Sequence, residues 1–337
     1  MIVYVKMLYS HIMSNIGKIT LFVIFICFFL PPVFAQENQS DLVFSLTPSF
    51  GVLYGQANEI VYIDPKSSIF LSELQWNIMP LFYAGLAADF GPVDDFNKHG
   101  FIGNLFFKMG IPQKTGIMED RDWLYDNNTL TNYSRHDNFS ERAILADLSL
   151  GYSFPLFDFT ALGINFDFSF MHYYWIAKNG YFQYLEPGQT WADEVPKVPL
   201  EGKVIEYTQN WFILSPGVFI RFRLGRFFSL NGNFNYSPLI YCADRDDHLR
   251  RDPITIFQDY LHYGQYLKGG GGITFSPLND LDVTIFLSYS SITDSRGDAF
   301  SKGAADINFV NDGTIAGGGY SAFEFGLSVR LRLLGPN

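Results

Sequence analysis

Two short clusters carry most of the residues able to do chemistry. Met118-Glu119-Asp120-Arg121-Asp122-Trp123 contains Asp-x-Asp, and Asp244-Arg245-Asp246-Asp247-His248 ends in Asp-x-His. In extended backbone, residues two apart share a face at roughly 6.5–7 Å spacing. Asp120 would thus point with Asp122, and Asp246 with His248. Imidazole is the side chain suited to taking a proton from water near neutral pH. Two close carboxylates disfavour double ionisation, so one can keep a proton and donate it to a developing oxyanion. Such groups suit hydrolysis through an activated water, with no covalent intermediate, metal or other cofactor required. Spacing alone does not decide it. Asp-x-Asp in a polar loop is more commonly a solvated turn or a loose calcium ligand, and Asp-Asp-His carries the same ambiguity.

The surrounding chain reads as strands. Phe219-Ile220-Arg221-Phe222-Arg223-Leu224 sends arginines one way and apolar groups the other, and Asn231-Gly232-Asn233-Phe234-Asn235-Tyr236 alternates likewise. Alternating segments of about ten residues between turn residues are the pattern of a transmembrane β-barrel. Ten strands are predicted, near 42–54, 69–90, 100–118, 144–154, 159–175, 207–224, 228–243, 258–276, 281–293 and 319–333. Their connections alternate between short turns, as at 155–158, 225–226 and 277–280, and polar loops at 55–68, 119–143, 176–206, 244–257 and 294–318. The fold class is therefore all-β, a ten-stranded antiparallel transmembrane barrel whose long loops share one, extracellular, mouth. Both motif clusters fall in those loops. That shared mouth, more than the spacing, raises the case for chemistry.

Composition agrees with a membrane barrel. The 337 residues are 48% hydrophobic and 18% aromatic but only 17% charged, against about a quarter charged in soluble domains. A net charge of −11 removes the footing for nucleic-acid binding, and the apolar content excludes disorder. Lys6 and Lys18 precede the apolar run Leu21–Leu30, and Val33-Phe34-Ala35 offers a cleavage site. Residues 1–35 thus read as a signal peptide and 36–337 as one barrel domain. Cleavage after Ala35 would remove two lysines and no acid, taking the charge from −11 to −13. Cys27 would leave with it, and Cys242 alone permits neither an intrachain disulfide nor a cysteine metal site.

At this point the residues resemble a family. Asp120-Arg121-Asp122-Trp123, the following Ser134-Arg135-His136, the Asp244–His248 cluster, Glu59-Ile60-Val61-Tyr62 and Leu71-Ser72-Glu73-Leu74-Gln75-Trp76 are similar, in order, to elements of the omptins. These are ten-stranded outer-membrane endoproteases, and the similarity runs over most of 42–333. The resemblance implies an aspartic-type endopeptidase with two dyads across a cleft. Asp246 would orient His248, which takes a proton from water, while Asp120 and Asp122 hold that water from the opposite wall. Glu59 and Asp244 would line the pocket before the scissile bond and select Arg or Lys. Taken alone, Glu59 reads as a surface carboxylate; Asp244 belongs to a matched cluster. The implied partners are peptide or protein substrates with Arg or Lys at the cleavage site and outer-membrane lipid, with no cofactor, no metal, no nucleic acid and a monomeric state. An acidic mouth would steer cationic peptides inward.

Two departures matter. Asn132 stands where the best-known members carry an acid, which leaves preference after the scissile bond open. Phe168-Ser169-Phe170-Met171-His172 stands where members that bind lipopolysaccharide carry Tyr-x-Glu-x-Arg, so dependence on that lipid is not supported. His99, His172 and His262 read as surface or girdle residues, His136 as a loop-positioning residue, and Gly269–Gly272 as strand glycines rather than a phosphate loop. Asn127-Asn128-Thr129 and Asn138-Phe139-Ser140 are sequons that read as polar loop. Two other functions remain in view, a catalytically inactive adhesin and a small porin. Complete dyads argue against the first, and an interior of ten strands, filled by side chains, against the second.

Overall fold

The computed structural model describes residues 43–334 apart from 64–68, 93–95, 97 and 125–128. The predicted signal segment and the first sequon's asparagines therefore lie outside the described residues. Among the described residues the regular structure is all strand: β1 (Phe44–Tyr62), β2 (Phe70–Phe90), β3 (Gly100–Gly110), β4 (Gln113–Asp122), β5 (Asn132–Phe157), β6 (Thr160–Tyr184), β7 (Val198–Pro199), β8 (Lys203–Leu224), β9 (Phe228–Ser237), β10 (Leu239–His248), β11 (Thr255–Leu278), β12 (Leu281–Gly303) and β13 (Val310–Leu334).

Ten walls close into a ring. β3 and β4 both pair with β2 and β5, so they form one wall, and β9 and β10, which both pair with β8 and β11, form another. β13 pairs antiparallel with β1 and closes the circle. Among the described residues each of the ten walls is paired on both sides, which is what a strand protein in lipid requires. The two split walls have a common cause. Pro112 and Pro238 lack the N–H that a ladder needs, so pairing lapses at each and resumes beyond it. At the second lapse, Ser237 Oγ accepts from Leu239 N at 2.8 Å and donates to the Leu214 carbonyl.

An apolar belt surrounds the barrel. Outward positions such as Leu162, Ile164, Phe166 and Phe168 on β6, or Phe323, Phe325 and Leu327 on β13, stand exposed at alternate residues. Among the described residues no helix is long and apolar enough to cross a membrane. A tilted membrane strand needs about 9–11 residues, yet β5 has 26 and β6 has 25. The surplus rises beyond the belt at one end. Segments expected as polar loops are therefore largely paired strand: the links at that end shrink to 63–69, 123–131, 185–202, 249–254 and 304–309, with β7 pairing back onto β6 inside the third. Polar residues on both faces look like loop in a linear reading, but strands standing in water need no apolar outer face.

Side chains span the lumen. Near the rim, Trp76, Trp175, Tyr173 and Tyr207 are fully buried and form a stacked floor, with Trp76–Tyr207 at 5.3 Å, Trp76–Trp175 at 6.0 Å and Tyr173–Trp175 at 4.9 Å. Below it, Lys108 Nζ meets Glu324 Oε1 at 2.6 Å, and Arg330 and Arg332 meet Asp282 Oδ2 at 2.5 and 2.8 Å. Two cavities of about 380 and 350 Å³ lie among these lower polar groups.

Candidate active site

Strand alternation decides which side chains enter the mouth. On β10, Ile240, Cys242, Asp244, Asp246 and His248 are buried, while Arg245 turns outward and pairs with Asp247 at 2.8 Å. On β4, Glu119 and Arg121 pair outside at 2.6 Å, which leaves Met118, Asp120 and Asp122 on the inner face. Glu59 on β1 is 4% exposed and Asp244 3%. All six candidate residues thus sit on strands rather than in loops, beyond the apolar belt. Strands fix side-chain direction more tightly than loops do.

The ring order sets β4 and β10 four walls apart, on facing sides of the mouth. His248 Nε2 touches Asp246 Oδ2. Across the gap, Asp122 Oδ2 accepts from Asn132 Nδ2 at 3.2 Å, while Asp120 Oδ1 is buried with no hydrogen-bond partner. Glu59 Oε2 is likewise buried and unpartnered. Tyr207 Oη donates to Asp244 Oδ2 at 3.1 Å.

Electrostatics bind these residues into one group. Burial raises the pKa of Glu59 well above the ordinary carboxylate range, and the charges of Asp246, Asp244, Asp259 and Asp120 raise it further. Burial also raises Asp120, reinforced by Asp122 and Asp246 and opposed by Arg251 and Arg121. Asp244 is raised by burial and then by Asp259, against the lowering effect of the Tyr207 hydrogen bond. Carboxylates from β1, β4, β10 and β11 therefore share one low-dielectric space. Among the described residues, no three of His, Cys, Asp and Glu stand as a metal cage. Neither lower cavity is lined by a candidate residue.

Sequence reasoning missed Asp259, Tyr207 and Gln209. Each is a single polar group in a strand, and nothing in its spacing separates it from an ordinary wall residue. The other histidines stay outside the cluster. His99 meets Tyr152 Oη at 2.6 Å, His172 meets Asn210 Oδ1 at 2.8 Å, and His262 stacks on Tyr241 at 5.4 Å. His136 lies on β5, not in a loop; it is buried against Ser134 Oγ at 2.9 Å, and burial lowers its pKa. Asn138 is also no loop residue, being fully buried and donating to the Asn77 carbonyl at 2.7 Å. Gly269–Gly272 lie within the β11 ladder.

The Omptin family model matches residues 40–331. The chain belongs to the omptin family. Among solved structures, the outer membrane protease OmpT from Escherichia coli superposes with a TM-score of 0.77 at 18% identity, over 89% of this chain and 99% of that one. The transport unit of the autotransporter AIDA-I from Escherichia coli, at 11% identity, covers 90% of this chain and 94% of its own, but its TM-score is 0.38. No curated protein matches this chain in sequence. Membership makes the chain an outer-membrane protease, and the OmpT likeness supports the ten-walled barrel. In an omptin, the belt is the lipid contact, and the paired strands above it carry the candidate residues into water.

Proposed function

We propose that this omptin is an endopeptidase that cleaves after Arg or Lys through a water activated by His248, with its mouth on the extracellular side. One observation carries the reading. Asp120 and Asp122 on β4 face Asp246 and His248 on β10 across a single cleft, with carboxylate oxygens left unsatisfied. Buried acceptors without donors are costly in a native fold, so something outside the chain is expected to meet them. Water and a cationic substrate are the fitting species.

The chemistry follows from the placement. Asp246 engages one nitrogen of His248, fixes the ring's orientation and stabilises the imidazolium. The other nitrogen takes a proton from a water held between His248 and Asp120. That water attacks the scissile carbonyl. The raised pKa of Asp120 lets one carboxyl of the Asp120–Asp122 pair hold a proton for the developing oxyanion. His248 then returns its proton to the leaving amine. Glu59 and Asp244 would receive the substrate cation, whose charge their mutual repulsion calls for.

Two features support the orientation and the closed lumen. Bacterial barrels put short turns on the periplasmic side, and the tightest links, at 158–159 and 279–280, lie at the end opposite the site. The lumen is spanned by the aromatic floor and by Lys108–Glu324, which favours an enzyme over a pore. The test is digestion of a mixed peptide library by refolded protein, with the cut sites read by mass spectrometry. Cuts clustered after Arg and Lys are expected. Intact peptides, or cuts scattered without regard to charge, would count against the reading.

A further inference from the structure

The proposed cation pocket holds more acceptors than Glu59 and Asp244. β11 sets Asp259 directly opposite Asp244 in the ladder, and each is 3% exposed. Like charges facing each other on neighbouring strands repel, and burial makes the repulsion larger. Glu59 adds a third carboxylate that feels both. From β8 comes Gln209, fully buried. Its Nε2 donates to Tyr207 Oη at 3.0 Å, Tyr207 Oη donates to Asp244 Oδ2 at 3.1 Å, and Gln209 Oε1 is left without a partner.

A glycine lets the walls approach closely here. Gly318 on β13 is the ladder partner of Glu59. A Cβ at Gly318 would come 2.8 Å from Leu261 Cδ1 and 3.6 Å from Gln209 Nε2. Gln209, Leu261, Gly318 and the backbone beside Glu59 therefore meet at one point, although they come from four walls of the barrel.

The pocket's needs can be read from its acceptors. Glu59 Oε2 and Gln209 Oε1 both lack donors, and the carboxylates of Asp244 and Asp259 bring further lone pairs. An ammonium offers three N–H groups around a point charge, whereas a guanidinium offers five in a planar fork. We propose that Asp259, together with the side-chain carbonyl of Gln209, determines specificity by fitting the pocket to a guanidinium rather than an ammonium. The inference rests on the reading that Glu59 and Asp244 receive the substrate cation.

The experiment compares kcat/KM on three peptides identical except for Arg, Lys or citrulline before the scissile bond, for wild type, Asp259→Asn and Asp259→Ser. Each variant removes one of two facing negative charges and so relieves their repulsion; folding is checked by the gel shift of unheated barrel. Wild type should prefer Arg to Lys by on the order of tenfold or more, the worth of one hydrogen bond to a charged group. Both variants should lose most of that preference, yet still favour the cations over citrulline through Glu59 and Asp244. An Arg-to-Lys ratio that survives in both variants overturns the proposal while leaving the basic pocket standing. A wild type that cuts the citrulline peptide as fast as the other two overturns the pocket itself, and the inference with it. Wild-type protein gives an independent arm: butylguanidinium should compete with the Arg peptide better than butylammonium, and equal inhibition would overturn the guanidinium preference.

Discussion

Asp246 on β10 acts electrostatically on Asp120 of β4 from the facing wall of the cleft, adding to the burial that raises the Asp120 pKa. The two motifs are far apart in sequence and meet only because the barrel closes. Their meeting brings two pairs that spacing alone left ambiguous into one cleft.

His248→Ala and Asp120→Ala should therefore lower kcat on an Arg-containing peptide by about 10²–10⁴-fold, the usual worth of a positioned acid or base. KM should change little, because neither group is placed to hold the substrate cation. Steady-state kinetics on folded variants measures both. Wild-type turnover in His248→Ala would remove the histidine from the mechanism.

Glu59→Gln and Asp244→Asn should act on selection instead. Breaking one side of a desolvated charge pair costs on the order of 2–5 kcal/mol, or roughly thirty- to several-thousand-fold. The loss should fall on Arg and Lys peptides and largely spare the citrulline isostere. Equal losses on charged and neutral peptides would point to a general disruption of the cleft.

The acidic cluster should make stability depend on pH in an unusual direction. Glu59, Asp120 and Asp244 have folded-state pKa values above the ordinary carboxylate range, chiefly through burial. Folded protein thus holds protons that the unfolded chain has already released, so stability falls as pH rises through the raised values. Asp244→Asn removes one such group. Its heat-unfolding midpoint in detergent should exceed that of wild type near about pH 8, with the gap closing toward about pH 4, where the unfolded carboxylates also protonate. A variant less stable than wild type at the higher pH would contradict the sign.

Topology gives a prediction in cells. An added protease should cut the links at 123–131 and 249–254 on intact cells and spare the turns at 158–159 and 279–280. Motif links shielded on intact cells would put the site on the wrong side of the membrane for the proposed substrates.

Sequence alone determined the class of this protein. Period-two alternation, as in Phe219–Leu224, reports which face meets lipid, because a lipid-facing side chain must be apolar whatever else it does. The same rule made the turns at 155–158 and 277–280 legible, and the Asp-x-Asp and Asp-x-His clusters were visible because their members are neighbours in the chain. Above the membrane that constraint ends. Both faces of a strand there can be polar, so Glu59, Asp120 and Asp244–His248 looked like loop residues, and only the ladders show them held on strands. Asp259 and Gln209 were invisible for a related reason. Each is one polar residue in a wall, and its meaning comes from what the ring sets beside it: Asp244 across the ladder from Asp259, and Gly318 close to Gln209. Closure of the barrel, a long-range event that no local pattern encodes, decided which carboxylates share a dielectric and so which ones raise one another's pKa.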